Sequence, residues 1–324
     1  MDPALRDQLL DRRGRLQTAI SQSVQTESLH HLPREVDLAL EKSDNGTYGL
    51  CETCHDSIER DRLMVDPLIR NCIDHLSATE QRALERDLDL AYEVQNNLLP
   101  KKQLSVQGWS TAYHYEAAGP VSGDYCDLLI PQNGDGSLYF FLGDVSGKGV
   151  AASILMAHLH AIFRSLISAN LPINQLVAQA NRLFCEGTMS THFATLVCGR
   201  ATRSGEVEIS NAGHCLPFLI RDNKVKTLPS TGIPLGMFCA GEYPSERVTM
   251  EPGDSLFLYS DGLTEAQDRS ETQYGEERAA VLLTKNNHLS PQELIRASVE
   301  DVKQFLSGAR KADDLTMMVV RRVG

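Results

Sequence analysis

The 324-residue sequence predicts an α+β fold: layered sheets with helices outside, preceded by a helical segment that carries a small metal-held module. Three observations lead there. Strand-like and helix-like runs come in blocks and not in strict alternation, which disfavours a doubly wound parallel sheet. Aspartates recur in Gly-flanked turns beside the strand-like runs: Asp124, Asp144, Asp261 and Asp313. Upstream of all of them, Cys51, Cys54, Cys72 and His75 form two close pairs.

In chain order, residues 4–42 are charged and helical, with Leu5, Leu9, Leu16 and Ile20 as a thin apolar stripe and His31-Leu32-Pro33 as an interruption. Asp44-Asn45-Gly46 reads as a turn. Residues 47–76 are short, polar and cysteine-bearing. A helix follows from Ser77-Ala78-Thr79-Glu80, where Ser77 and Glu80 have capping-box spacing, to Leu99, and Pro100 stops it. Leu84, Leu88, Ala91, Val94 and Leu98 share one face of it. Strands are then expected at Trp109–Tyr115, Asp124–Ile130 and Leu138–Val145, the last two joined by a turn at Asn133-Gly134-Asp135-Gly136. Helices at 149–169 and 172–186 follow, then strands at 193–201, 206–210, 216–221 and 255–260. Helices at 276–285 and 291–307 precede a last strand at 315–321.

Composition narrows the function classes. Hydrophobic residues make up 42% of the chain, enough for a sizeable core, and the net charge of −12 disfavours nucleic-acid binding, which needs clustered Lys and Arg. No apolar leader opens the sequence and no stretch approaches eighteen apolar residues, so neither a signal peptide nor a membrane span is expected. Of the eight cysteines, Cys126, Cys185, Cys198, Cys215 and Cys239 sit among apolar residues and are expected as buried, reduced core thiols. A cytoplasmic location follows.

The aspartates carry the chemistry. Asp124 begins one strand and Asp144 ends the next across a hairpin, so antiparallel pairing makes them neighbours. Asp261 follows the apolar run Leu256–Tyr259, and Asp313 and Asp314 precede Leu315–Val320. Asp and Gly are common turn residues, so each motif alone is weak. Together they place several carboxylates at one sheet edge, where they cannot all stay ionised without cations. Hard oxygen donors favour Mg or Mn over Zn or Cu.

Residues 90–324 resemble the bacterial SpoIIE/RsbU-type branch of the metal-dependent (PPM) Ser/Thr protein phosphatases. The matching runs are Ala91–Gln95 through Leu98-Leu99-Pro100, Ser122–Asp127, Gly143–Gly149, Asn211-Ala212-Gly213-His214, Pro234-Leu235-Gly236, Tyr259–Ala266 and Asp313–Thr316. The resemblance implies an αββα sandwich of two antiparallel sheets flanked by helices, with two Mn or Mg ions at one end. It makes Asp144 the bridging ligand and the Val145 carbonyl a further one. Asp124, Asp261 and Asp313 complete the metal set, while Asp314 stands where the family varies between Asp and Asn and is expected in support of the ligands. Two cations lower the pKa of a shared water, which attacks phosphorus in line with the Ser or Thr leaving oxygen. Lys148 replaces a frequent His and reads as an exposed charge ahead of a group that steers phosphate. His214 reads as a structural turn in preference to a general acid. An arginine to grip the phosphate is not evident.

Cys51-x2-Cys54-x17-Cys72-x2-His75 has the spacing of a tetrahedral zinc site. Residues 35–76 also resemble the DksA/TraR zinc-finger family, on Asn45–Cys51, Arg62-Leu63, Pro67 and Cys72-Ile73-Asp74, with His75 in place of the usual fourth cysteine. His55 sits where that family commonly has Gly. The implied zinc is structural, closing a piece too small for its own core. Members of that family reach RNA polymerase through a long coiled coil with an acidic tip. No such tip precedes this finger, so a regulatory or oligomerising role is expected ahead of polymerase binding.

The expected organisation is an N-terminal helix and finger at 1–79, a linker or switch helix at 80–101, and a phosphatase domain at 102–324. The expected partner is a phosphorylated protein, by resemblance an anti-sigma-factor antagonist in a partner-switching pathway. A homodimer through the N-terminal and linker helices is an allowed assembly. The rival readings are a pseudophosphatase scaffold, a zinc-finger protein that binds the transcription machinery, and a phosphatase for another phosphoester.

Overall fold

The computed structural model describes residues 6–7, 9–15, 31–76, 78–131, 134–189, 191–309 and 311–324. The expected stripe positions Leu5, Leu16 and Ile20, the cap Ser77 and the turn residue Asn133 lie outside them. The chain divides into two compact units, Met1–Asp87 and Leu88–Gly324.

In the first unit, residues 9–15 and helix α1 (His31–Asp44) share a small apolar cluster of Leu9, Val36, Ala39 and Leu40. His31-Leu32-Pro33 opens α1 and does not interrupt it, because proline is tolerated in a first turn, where no intrahelical donor is lost. A second cluster gathers Cys51, Ile58, Leu63 and Cys72 around the short helix α2 (Arg60–Val65). Helix α3 (Ala78–Leu98) contains the boundary between the units. Its expected apolar stripe is only partly covered: Leu84 and Val94 are 40% and 52% exposed.

The second unit is a four-layer α/β/β/α sandwich. Strands β1 (Gln103–Val106), β2 (Trp109–Glu116), β7 (Phe218–Arg221), β8 (Lys224–Thr227), β10 (Ser255–Tyr259) and β11 (Leu315–Arg322) form one sheet in the order β1-β2-β11-β10-β7-β8. Strands β3 (Asp124–Leu129), β4 (Leu138–Val145), β5 (Ala194–Ala201), β6 (Glu206–Ala212) and β9 (Glu246–Thr249) form the other in that order. Every pairing is antiparallel.

Strand alternation sorts the side chains into layers. Cys126, Leu128, Phe140, Leu142, Leu256, Leu258, Met318 and Val320 fill the space between the sheets. Their neighbours point outward: Tyr125, Tyr139 and Phe141 pack under helices α4 (Gly149–Leu166) and α5 (Ile173–Gly187). Phe257, Tyr259, Met317 and Val319 pack under α7 (Gly275–Lys285) and α8 (Pro291–Leu306). Between these comes the single-turn α6 (Asp261–Thr264). Each fully buried Leu or Phe contributes about 1.5–3 kcal/mol, so the strand ends that carry the aspartates are held by well-packed layers.

One helical stretch, Gly149–Ala169, is long and apolar enough to cross a membrane by length and composition, where the sequence reading expected none. Ala152, Met156, Leu159 and Phe163 of that stretch are buried within the sandwich. The scattered cysteines also depart from expectation. Cys126 and Cys198 are buried, but Cys185 and Cys215 are half-buried and Cys239 is exposed, in the loop after Gly236 that Asn181 holds through the Phe238 and Cys239 carbonyls.

Candidate metal centre

The register of the β3–β4 hairpin sets Asp124 directly opposite Asp144. Gly123 permits the approach that follows: a Cβ there would meet the Val145 carbonyl at 3.1 Å and Asp144 Oδ1 at 3.3 Å. The Val145 carbonyl and the Asp144 carboxylate therefore lie on the same side of Gly123.

From the other sheet, β10 runs into α6, whose first residue is Asp261, and β11 starts just after Asp313-Asp314. These two segments touch through Gly262, where a Cβ would collide with the Asp314 carbonyl at 1.8 Å. Any larger residue would push Asp261 away from Asp313. Ser260 ties the segments further, its amide donating to the Thr316 carbonyl and its hydroxyl accepting from the Thr316 amide, both at 2.9 Å.

Each carboxylate has a different environment. Asp124 is 2% exposed and accepts a short hydrogen bond from the Thr316 hydroxyl. Burial first and the Asp144 charge second hold it well above the usual carboxylate range. Burial, then Asp261 and Asp313, push Asp144 up to about 7. Burial and Asp313 also raise Asp261. Asp313 Oδ2 accepts from Lys148 Nζ at 2.9 Å. Asp314 turns away to hold the loop before β3. Its Oδ1 accepts from the Ala118 amide at 2.7 Å, and its Oδ2 from the Ser122 hydroxyl at 2.7 Å and the Gly123 amide at 2.9 Å.

Carboxylates whose pKa values are raised by burial and by one another lack a compensating cation. Among the described residues, Lys148 is the one ammonium paired with this set. Hard oxygen donors with an excess of negative charge fit divalent Mg or Mn. Among the described residues, no three of these carboxylates bring their oxygens within 4.8 Å of one another.

Gln95, on α3, was missed by the sequence reading. Its Nε2 donates to the Ser122 carbonyl at 2.7 Å and its Oε1 accepts from the Ser122 amide at 2.9 Å. Ser122 Oγ in turn accepts from the Asp124 amide at 3.0 Å. A helix side chain thus clamps the residue two positions before a candidate ligand. The signal was its place in the matching run Ala91–Gln95, which gave it no role. His214 is buried, its turn held by Asn211 and its Nδ1 2.8 Å from the Thr195 hydroxyl. Burial lowers it to about 4, which disfavours the imidazolium that a general acid near pH 7 would need.

In the first unit the ligand atoms of Cys51, Cys54, Cys72 and His75 lie within 4.8 Å of one another. Cys54 Sγ is 3.7 Å from Cys72 Sγ, which is 3.2 Å from His75 Nδ1. The Leu50–Ser57 bridge and the Cys51 amide donating to Asp56 shape the first knuckle. His55 within it has φ 61°, a left-handed conformation that glycine adopts without strain. Burial opposes ionisation of Cys51, but amides at Cys54, Cys72 and Thr53 prevail and bring it down to about 6. Three thiols and an imidazole in this arrangement fit a tetrahedral soft-metal site.

Residues 134–323 match the profile of the family described as stage II sporulation protein E (SpoIIE). Among curated relatives, "Protein IcfG" of Synechocystis sp. is 27% identical over 73% of this chain and 41% of its own length. "Phosphoserine phosphatase RsbU" of Bacillus subtilis is 24% identical over 75% of this chain and 72% of its own. The chain thus spans less than half of the first relative. The SiaA-PP2C domain of Pseudomonas aeruginosa shares the fold with a TM-score of 0.67 at 18% identity, covering 76% of this chain and 99% of that one.

Proposed function

The chain belongs to the SpoIIE family, and on that premise we propose that it is a protein phosphatase that removes phosphate from serine or threonine with two divalent cations. The observation that carries this reading is the convergence of Asp124, Asp144, Asp261 and Asp313 at one end of the sandwich, with three of the four carboxylates raised by burial and repulsion. Asp144, which faces Asp124 across the hairpin, would hold both cations. Asp124, Asp261, Asp313 and the Val145 carbonyl complete the set, and Asp314 positions it through the loop 118–123.

Two Mn or Mg ions, when bound, supply Lewis acidity and an acidified water for attack at phosphorus. The protein's own part is rigidity. Thr316 fixes one Asp124 oxygen, Gln95 and Asp314 seat Ser122-Gly123, and Gly262 lets Asp261 approach Asp313. A site that recognises the phosphoryl group does not by itself select the carrier. The name of the RsbU relative supports phosphoserine as the group removed, and the resemblance to partner-switching phosphatases points to a phosphorylated anti-sigma-factor antagonist as its carrier. Phosphate release from each candidate phospho-antagonist of the same genome, compared with p-nitrophenyl phosphate, tests this. Turnover of the small ester with none of the proteins would refute the substrate.

The first unit is a regulatory or assembly module held by structural zinc on Cys51, Cys54, Cys72 and His75, in a cytoplasmic protein. Its influence reaches the candidate centre through α3 and Gln95. Dimerisation through the N-terminal and linker helices accounts for the exposed Leu84, Leu90 and Val94, and sedimentation of the full chain as a monomer would refute it.

A further inference from the structure

A two-cation site needs side chains that receive the substrate's phosphoryl oxygens, and the surface around Asp313 offers a candidate. Two clefts open beside that residue. One is bounded by Gly262, Glu265 and Gln267 of the α6 segment and by Leu306 of α8. The other is bounded by the loop 118–121 and Gly149. Lys148, Lys311, Ala312 and Asp313 line both.

The two lysines of that shared wall differ. Lys311 Nζ lies 2.6 Å from Glu116 Oε2 and its side chain is 22% exposed, so its charge is already engaged. Lys148 is 71% exposed. Its Nζ donates to Asp313 Oδ2 at 2.9 Å and to the Ala312 carbonyl at 3.1 Å. Lys148 is also the N-cap residue of α4, in the turn that follows Asp144 and Val145 of β4, so its backbone is fixed while its stem can swing.

We propose that Lys148 is a tethered counter-cation that exchanges partners: it holds Asp313 until a divalent ion takes that carboxylate, and its ammonium then receives a phosphoryl oxygen of the substrate. This rests on the two-cation reading above. The exchange costs little, because an exposed lysine–carboxylate pair is among the weakest ionic contacts in a protein. A divalent ion attracts the same carboxylate more strongly and repels the ammonium. The phosphoryl dianion brings the negative charge that Asp313 has given up. Lysine suits this role as a compact point charge on a flexible stem. The position of Lys148 between the clefts puts it within reach of a phosphate entering by either.

The test combines two measurements on the full chain. Calorimetric titration with Mn2+ in the absence of substrate reads the competition for Asp313. The KM for a synthetic phosphoserine peptide reads the contact to phosphate. Lys148→Met keeps the stem and removes the charge. It should bind Mn2+ about three- to tenfold more tightly. Its KM should rise about tenfold or more, with a smaller change in kcat. Lys148→Arg should keep both values within about threefold of wild type. A merely structural lesion weakens metal and substrate together, so the opposite signs identify the exchange. Lys148→Met that binds Mn2+ no more tightly than wild type, or that leaves KM unchanged, overturns the proposal. Wild-type protein that binds Mn2+ but shows no Mn-dependent turnover refutes the phosphatase reading instead, and the titration result for Lys148 still stands by itself.

Discussion

Replacing Gln95 with Met keeps the length of the side chain and removes both ends of its clamp on Ser122. The two hydrogen bonds span 2.7 and 2.9 Å, and Gln95 and Ser122 are 5% and 1% exposed, so water has poor access to the groups left behind. An unpaired buried backbone donor or acceptor costs about 1–3 kcal/mol. Two such groups give at least about 2 kcal/mol against the seated loop, roughly a 30-fold shift in its equilibrium. The cost falls on the segment that leads into Asp124, while the layers of the sandwich keep their contacts. In steady-state assays with p-nitrophenyl phosphate at saturating Mn2+, Gln95→Met should therefore lose about tenfold or more in kcat/KM, with a Tm lowered by less than about 8 °C. Turnover within twofold of wild type would refute the idea that α3 positions the metal centre.

Three further outcomes follow from the electrostatics. Because Asp144 titrates near 7 in the folded chain and lower when unfolded, the native state binds the extra proton between those values. Metal-free protein should therefore lose stability as pH rises from about 4 to 7, and Mn2+ should restore more of it at pH 7 than at pH 5; chemical denaturation at both pH values checks this. Asp144→Asn should raise the Tm of metal-free protein, since it removes a repelling charge from a partly buried cluster, and a lower Tm would contradict that cause. Elemental analysis should find one zinc per chain, absent in Cys72→Ser, whose first unit should become sensitive to proteolysis; zinc-free wild-type protein with the same resistance would rule out a structural metal.

The strands that were legible in the sequence are those with apolar runs, such as Leu138–Val145 and Ser255–Tyr259, because both faces of their sheets are covered. The strands missed, β1, β8 and β9, all lie at sheet edges. Lys224–Thr227 and Glu246–Thr249 are charged and short, as an edge must be if it is not to pair with another chain, and that removes the pattern that marks a strand. The Ser290–Glu293 capping box at the head of α8 was also overlooked, although its residues were in plain view. The facing of Asp124 and Asp144 followed from hairpin logic alone. Gln95 did not, since a single polar residue on a helix looks the same whether it faces water or clamps a distant backbone. The exposure of Cys239 was hidden for the same reason: the loop that carries it is shaped by Asn181, far away in sequence.

The most direct test of the central claim is phosphate release from a phosphoserine peptide by the full chain, with Mn2+ and with excess chelator, beside Asp144→Asn. The two-cation account predicts turnover that requires Mn2+, stops with chelator and is lost in Asp144→Asn. Equal turnover by wild type and Asp144→Asn, or no Mn-dependent release by folded wild-type protein, would contradict it.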